Sequence, residues 1–280
     1  MNDRSKEKII DFHVHCFPDD LAGKTISLLE EKANEKARLD GTVANIKRSM
    51  KKAGIDWSVV QNIATKPSQT ETINDWAASI QGEGIISFGT IHPEFSEPEA
   101  EIERIRDSGL PGIKFHPDYQ EFYVDEEKFF PIYEKIIEKD LIILFHSGID
   151  IGLPESLHCP PSRLKKVVET FPEGKIIAAH MGGYKMWDRV EEELVGSNVY
   201  LDTSYSLRHM PRKQFLRIVE NHGSEKILFA TDSPWEDQTK EVERIKDLNL
   251  EEGVEAAIFY ENSRELLGNT IDQEEIISIS

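Results

Sequence analysis

Apolar residues in this chain gather into eight short runs rich in Ile, Val, Leu and Phe, at residues 8–15, 57–64, 85–92, 112–116, 141–146, 175–180, 199–204 and 227–232. Most are continuous, not alternating apolar and polar, which is the pattern of strands buried on both faces in a parallel sheet. Between the runs the apolar positions follow helical spacing. Ile73, Trp76, Ala77 and Ile80 form an i, i+3, i+4, i+7 stripe in residues 70–83, and Phe129, Ile132, Tyr133, Ile136 and Ile137 do the same in 125–139. Residues 97–107, 161–171, 185–195, 211–222, 239–248 and 253–267 continue the alternation. The pattern predicts an α/β fold, a (β/α)8 TIM barrel, with an open doubly wound sheet as the alternative. Residues 17–41 make a long, polar β1–α1 loop, predicted to carry an inserted helix over 27–38 that lids or borders the site. Residues 1–280 read as one domain, and 269–280 as a C-terminal extension without assigned chemistry.

Composition narrows the class. The 280 residues, 39% hydrophobic, supply one large core. A net charge of −19, from 33 basic and 52 acidic residues, sets the surface against nucleic acid and anionic membranes. No apolar run approaches the ~20 residues that span a bilayer. The charged start leads straight into Ile9 without a signal-peptide pattern. The expectation is a cytoplasmic protein acting on a small molecule, with homo-oligomer formation left open. Cys16 and Cys159 are too few for a disulfide framework and read as buried thiols; a metal-adjacent role for Cys16, beside His15, is the alternative. Gly-x-Ser-x-Gly, Gly-x-Gly-x-x-Gly and Gly-x-x-x-x-Gly-Lys sequences are absent, which sets aside Ser-nucleophile and nucleotide-fold readings.

The polar residues fall where a barrel places its chemistry, at the C-terminal ends of the strands. The first run ends in His13 and His15, two residues apart and so on one face of a strand. The fourth ends in Lys114 and His116, the fifth in His146, the sixth in His180 and the eighth in Asp232. Isolated, each would be a satisfied strand-end residue. Burying so many ionisable groups together is costly unless they share a purpose, and a metal centre supplies one. Imidazole with carboxylate suits Zn2+ or another divalent first-row ion. Asp11, on the same face as the histidines but deeper, reads as a structural hydrogen-bonding group. His92 and His116 are candidates to line the cavity, with shaping of the His-Pro turns as the alternative. Tyr205 and Trp235 are candidate pocket walls, weighed against plain aromatic packing at the rim. His158 reads as a loop residue, and His209 and His222 as solvated helix residues.

The His-x-His, the two later histidines and the Asp together resemble the amidohydrolase superfamily. The segments Gly-Ile-Lys-Phe-His-Pro, Ala-His-Met-Gly-Gly and Ala-Thr-Asp-Ser-Pro-Trp are most similar to its aminocarboxymuconate semialdehyde decarboxylase-like branch, over residues 9–267. The resemblance implies His13, His15, His146 and Asp232 as metal ligands, and His180 as either a ligand of a second metal or the general acid/base. It also gives Lys114 two readings: a carboxylated bridge between two ions, or a cation for a substrate carboxylate. One Zn-class ion is the expectation and two the alternative. The expected activity is a metal-dependent hydrolase, in which activated water attacks a C–N or C–O carbonyl centre with Asp232 as proton shuttle. Lys114, His116 and His180 would orient the substrate. The alternative is a non-oxidative decarboxylase or hydratase acting on an unsaturated carboxylic acid, and a third reading is a non-enzymatic metal-binding barrel.

Overall fold

The computed structural model describes residues 7–268, 270 and 271. Strands β1 (Ile10–Val14), β2 (Trp57–Val60) and β3 (Ile85–Ser87) pair in parallel in that order. A second parallel series runs β4 (Gly89–Thr90), β5 (Gly112–Phe115), β6 (Ile142–Phe145), β7 (Ile176–Ala178), β8 (Tyr200–Asp202) and β9 (Ile227–Leu228). Helices α1 (Asp19–Ala33) and α2 (Val43–Ala53) both follow β1. Then α3 (Thr70–Ser79), α4 (Pro98–Asp107), α5 (Phe130–Glu138), α6 (Pro161–Thr170), α7 (Trp187–Glu193), α8 (Arg212–His222) and α9 (Gln238–Lys246) alternate with the later strands. The described chain closes with α10 (Glu252–Ala256), a π-helical turn at Ala257–Glu261 and α11 (Asn262–Leu267).

This is a (β/α)8 TIM barrel in which β3 and β4 are two halves of the third barrel strand. The break falls at Phe88, whose ring turns inward to meet Phe12 edge-on at 5.8 Å while its N–H bonds the Val60 carbonyl at 2.9 Å. Among the described residues no regular ladder joins β9 to β1. That seam is spanned by the Phe12 N–H to the Phe229 carbonyl (2.9 Å), the Asp232 N–H to the His13 carbonyl (2.8 Å) and a parallel bridge between Val14 and Ser233.

Each strand buries both faces, as continuous apolar runs require. Ile10, Phe12, Ile86, Leu144, Ile177 and Leu228 pack together inside the barrel. Their neighbours Ile113, Phe115, Ile143, Phe145 and Leu201 face the helices, where Ile105, Ile136 and Leu164 meet them. Leu266, Leu267 and Ile271 join the interior cluster beside Ile10 and Trp57, which begin their strands, so α11 packs at the end opposite the polar residues.

Two features of the first βα connection differ from expectation. The inserted helix spans 19–33, not 27–38. Pro18 opens it, Asp19 and Asp20 complement the helix N-terminus, and Asn34, left-handed at φ 51°, stops it. Helix α2 has no counterpart among the predicted elements, although its signals are present. The Thr42 side chain accepts the Asn45 N–H, Ile46 and Met50 are buried one turn apart, and left-handed Gly54 returns its N–H to the Met50 carbonyl. Among the described residues no helix is long and apolar enough to cross a membrane. Of the C-terminal extension, residues 269 and 272–280 lie outside the described residues.

Candidate metal centre

The inward alternation of each strand runs from apolar to polar as it nears the C-terminal end. Leu144 is followed two positions on by His146, and Ala230 by Asp232. In β1 the pairing register is irregular between Asp11 and Val14. Phe12 consequently joins the interior core while His13, the next residue, lines the cavity. The same irregularity separates Asp11 from the histidines, against expectation. Its carboxylate accepts the Thr231 N–H (2.9 Å) and hydroxyl (2.7 Å) and the Gln238 amide (2.8 Å), and ties β1 to the last strand and α9.

His13, His15 and Asp232 converge. The two imidazole Nε2 atoms lie 3.3 Å apart, and Asp232 Oδ1 stands 3.6 Å from the first and 3.2 Å from the second. Their outer partners fix which nitrogen carries hydrogen. His13 Nδ1–H donates to Asp202 Oδ2 (2.9 Å) and His15 Nδ1–H donates to the Gln61 carbonyl (2.9 Å). Two ring lone pairs and a carboxylate oxygen therefore face one point. That donor set fits a divalent first-row ion, and its opening toward the cavity leaves room for further ligands.

Lys114, His180 and His146 border this group. Lys114 Nζ is 3.3 Å from His13 Nε2. His180 Nδ1–H donates to the Ser204 carbonyl (3.0 Å), which leaves Nε2 to accept from His146 Nδ1–H at 3.0 Å. His146 Nδ1 lies against His180, and its Nε2 is 4.0 Å from a carboxylate oxygen of both Asp118 and Asp150. His180 (φ 60°) and Asp232 (φ 65°) are held in left-handed backbone that ordinary residues avoid. The restraint on His180 comes from Asp202, whose Oδ1 accepts the His180 N–H (2.9 Å) and the Ser204 N–H (3.1 Å).

Burial sets the protonation of the group. It drives His13, His116 and His146 well below the ordinary imidazole value, and the Lys114 charge adds to this at all three. Burial likewise lowers Lys114 to about 8, against the pull of Asp202 and Asp232. Burial pushes the Asp232 carboxyl up, but the His15 hydrogen bond and the fields of His13 and His180 outweigh it and hold the group below its usual range. A neutral His13 imidazole beside an ionised Asp232 carboxylate suits metal ligation.

These side chains open into a cavity of about 540 Å³. Lys114, His116, Tyr205 and Trp235 line it, along with His146 and His180. Leu21, Thr25, Leu29 and Ala33, spaced by four along α1, form an apolar wall. His92 does not line the cavity; its Nδ1 accepts the Glu94 N–H (3.2 Å) and shapes the turn after β4. His222, expected at the surface, is buried and structural: Nε2–H donates to the Val199 carbonyl (2.8 Å) and Nδ1 accepts the Gly196 N–H (3.0 Å). His209 is half-buried against Tyr184 and Tyr205. Cys16 lines the cavity, Cys159 is buried against Ser147, and burial raises both thiols to about 12, so neither is a ready thiolate.

Asp202, Asp118 and Asp150 are the functional candidates that sequence reasoning passed over. Asp202 closes an apolar strand as Asp232 does, which was a usable signal. Asp118 and Asp150 sit in loops where an acidic residue is unremarkable.

The barrel's strand ends bring His13, His15 and Asp232 together on the wall of a cavity as a group that could hold a metal ion. The chain belongs to the amidohydrolase family, which it matches over residues 10–268, and it is an enzyme of that superfamily. Solved structures share the fold. The 5-carboxyvanillate decarboxylase of Sphingomonas paucimobilis is 17% identical, with a TM-score of 0.70 over 93% of this chain and 99% of that one. A dihydroxybenzoic acid decarboxylase from Polaromonas, solved with bound manganese and the inhibitor 2-nitroresorcinol, is 17% identical, with a TM-score of 0.72 over 93% and 97%. An uncharacterised TIM-barrel protein from Bordetella bronchiseptica is 16% identical, with a TM-score of 0.74 over 94% and 99%. No curated protein sequence matches this chain.

Proposed function

We propose that this enzyme is a metal-dependent, non-oxidative decarboxylase of a small unsaturated or aromatic carboxylic acid. The observation that carries the reading is Lys114. It is the one Lys or Arg side chain lining the cavity among the described residues, and it is buried beside His13. In a protein of net charge −19, a carboxylate entering this apolar-walled cavity finds its opposite charge there. The decarboxylases of like fold agree with this reading over hydrolysis.

His13, His15 and Asp232 would hold the ion, Zn2+ or another divalent first-row metal. When bound, it polarises a substrate oxygen and stabilises negative charge that develops as CO2 leaves. The chain's residues do the rest. Lys114 binds and orients the carboxylate. His116 and Tyr205 flank the substrate, and the α1 wall with Trp235 excludes water. The carbon–carbon bond breaks, the electron pair stays on the former α carbon, and a proton relayed through Asp232 or His180 replaces CO2 there. Hydrolysis is the second reading, favoured by the ionised Asp232 carboxylate at the ligand set, which can take a proton from an attacking water.

The test is a panel of unsaturated and aromatic carboxylic acids alongside amides, esters and lactones, scored for released CO2. The expected result is one CO2 per acid consumed, with KM raised at least tenfold in Lys114→Met. Turnover of an amide, ester or lactone without CO2 would move the protein to the hydrolase reading.

A further inference from the structure

We propose that the cavity has an apolar arm walled by α1 and α3, and that this arm holds a hydrocarbon chain carried by the acid whose carboxylate meets Lys114. The inference rests on the reading of Lys114 given above and extends it from the head of the substrate to its tail.

The lining of the cavity divides by charge. Its ammonium and carboxylates, Lys114, Asp150 and Asp232, belong to β5 and to the loops that follow β6 and β9. Residues 16–33 and 61–76 bring no charged side chain to it, and their apolar share is Phe17, Leu21, Leu29, Ile63, Ile73 and Trp76. On α3, Ile73 and Trp76 stand one turn apart on the cavity side, while Thr70, Asn74 and Ala77 bury the neighbouring stripe in the protein. On α1, Ala22 and Ile26 are buried, and Leu21 and Leu29 fall on the stripe beside them. The chain leaving β2 passes the metal ligands first, where the Gln61 carbonyl accepts from His15 Nδ1–H (2.9 Å), and reaches Ile73 and Trp76 only later. The apolar arm therefore continues outward from the polar floor, and Leu21, 50% exposed, borders its opening. Gln69, an amide in this wall, already commits its Oε1 to the N–H groups of Thr65 (3.0 Å) and Lys66 (3.1 Å).

Apolar walls ordinarily close on one another to leave water. Here each helix is anchored elsewhere. Asn74 pins α3, donating from Nδ2 to the Thr90 carbonyl (2.9 Å) and accepting the Thr90 N–H at Oδ1 (2.8 Å). Ile26 holds α1 against Gly41 so closely that a Cβ added there would lie 2.8 Å from its Cγ1. The far end is held by Lys32 over the Tyr119 ring (4.4 Å) and by Glu35 against Arg208 (3.3 Å). The whole cavity is about 540 Å³, whereas roughly 150 Å³ is enough for benzene. A single-ring acid at Lys114 therefore leaves most of the space to water. Methylenes placed in the remainder release that water from apolar walls and displace no charged group.

The test is calorimetric binding to the full-length protein saturated with Mn2+, using benzoate and its para-methyl, para-propyl and para-pentyl derivatives. The matching benzamides supply neutral heads. Affinity is expected to rise about threefold to fourfold per methylene, the equivalent of ~0.8 kcal/mol per buried CH2 at 1.4 kcal/mol per tenfold. The para-pentyl acid should then bind on the order of 100-fold tighter than the para-methyl acid. Ile73→Asp on α3 and Leu29→Asp on α1, with folding checked by circular dichroism, should each cut that ratio to less than about tenfold. A ratio near one in the wild type, a wild-type ratio kept in a folded variant, or no binding by any member overturns the arm. Acids and amides that gain alike with chain length and bind equally tightly would support the arm and reject the carboxylate reading of Lys114. Acids that outbind amides without any gain from chain length would keep that reading and reject the arm.

Discussion

Replacing Asp202 by Asn leaves shape and volume intact but removes the one carboxylate that organises both halves of the centre. One oxygen receives His13 Nδ1–H at 2.9 Å, and the other receives the backbone N–H groups of His180 (2.9 Å) and Ser204 (3.1 Å). An amide has a single acceptor oxygen. If its NH2 turns toward His13, the ring must accept at Nδ1 and carry its hydrogen on Nε2, which abolishes the lone pair facing His15 and Asp232. If its NH2 turns the other way, two buried N–H groups lose their acceptor, at about 1–3 kcal/mol. Loss of such an outer partner lowers metal affinity by about 10–100-fold, or about 1.4–2.8 kcal/mol at 1.4 kcal/mol per tenfold. Competition against a chromogenic chelator measures this directly, with circular dichroism confirming the fold. Affinity in Asp202→Asn equal to wild type would refute the assignment of Asp202 as the residue that sets the His13 tautomer.

Further predictions follow from single contacts. His15→Ala removes a lone pair from the three-donor set, so the rise in Tm on adding Zn2+ or Mn2+, read by calorimetry, should largely vanish. Gly148→Ala places a methyl group inside the Tyr184 backbone at a position with φ 85°, just beyond His146. A loss of roughly 3 kcal/mol or more by urea unfolding is expected, because neither backbone can yield. Glu241 is buried on α9, and burial, opposed by Arg244, raises its carboxyl from 4.5 to about 8. The folded state then holds a proton that the unfolded state releases, so stability falls as pH rises from about 4.5 to 8. Glu241→Gln should flatten that slope by at least about 1 kcal/mol in urea melts at pH 5 and 8, since each tenfold gain in proton affinity on folding is worth about 1.4 kcal/mol; an unchanged slope would assign the buried group as an ionised partner of Arg244.

The barrel was legible because parallel strands and their covering helices leave different periods in the sequence. Where competing terms act, the pattern misled. Phe88 looks like one more apolar residue in a strand of eight, but its ring fills the barrel interior and splits the strand. Helix α2 does carry a short stripe, with Ile46 and Met50 buried and Val43 and Ala53 packed beside them, but Lys47, Arg48, Lys51 and Lys52 dilute the apolar signal. His222 shows the limit of polarity as a surface signal, since its two ring nitrogens are both satisfied by backbone. Within the centre, strand-end position picked out His13, His15 and Asp232. It does not say which ring nitrogen of His146 faces His180, because that depends on His180, Ser204 and two loop aspartates distant in sequence.

The central claim is that His13, His15 and Asp232 hold a divalent ion at the barrel mouth. A crystal structure of the protein grown with Mn2+, with anomalous data collected at the manganese edge, tests it most directly. The account predicts an anomalous peak within about 2.0–2.3 Å of His13 Nε2, His15 Nε2 and an Asp232 oxygen. Well-ordered side chains at all three positions with no peak between them, in a protein saturated with Mn2+, would contradict it.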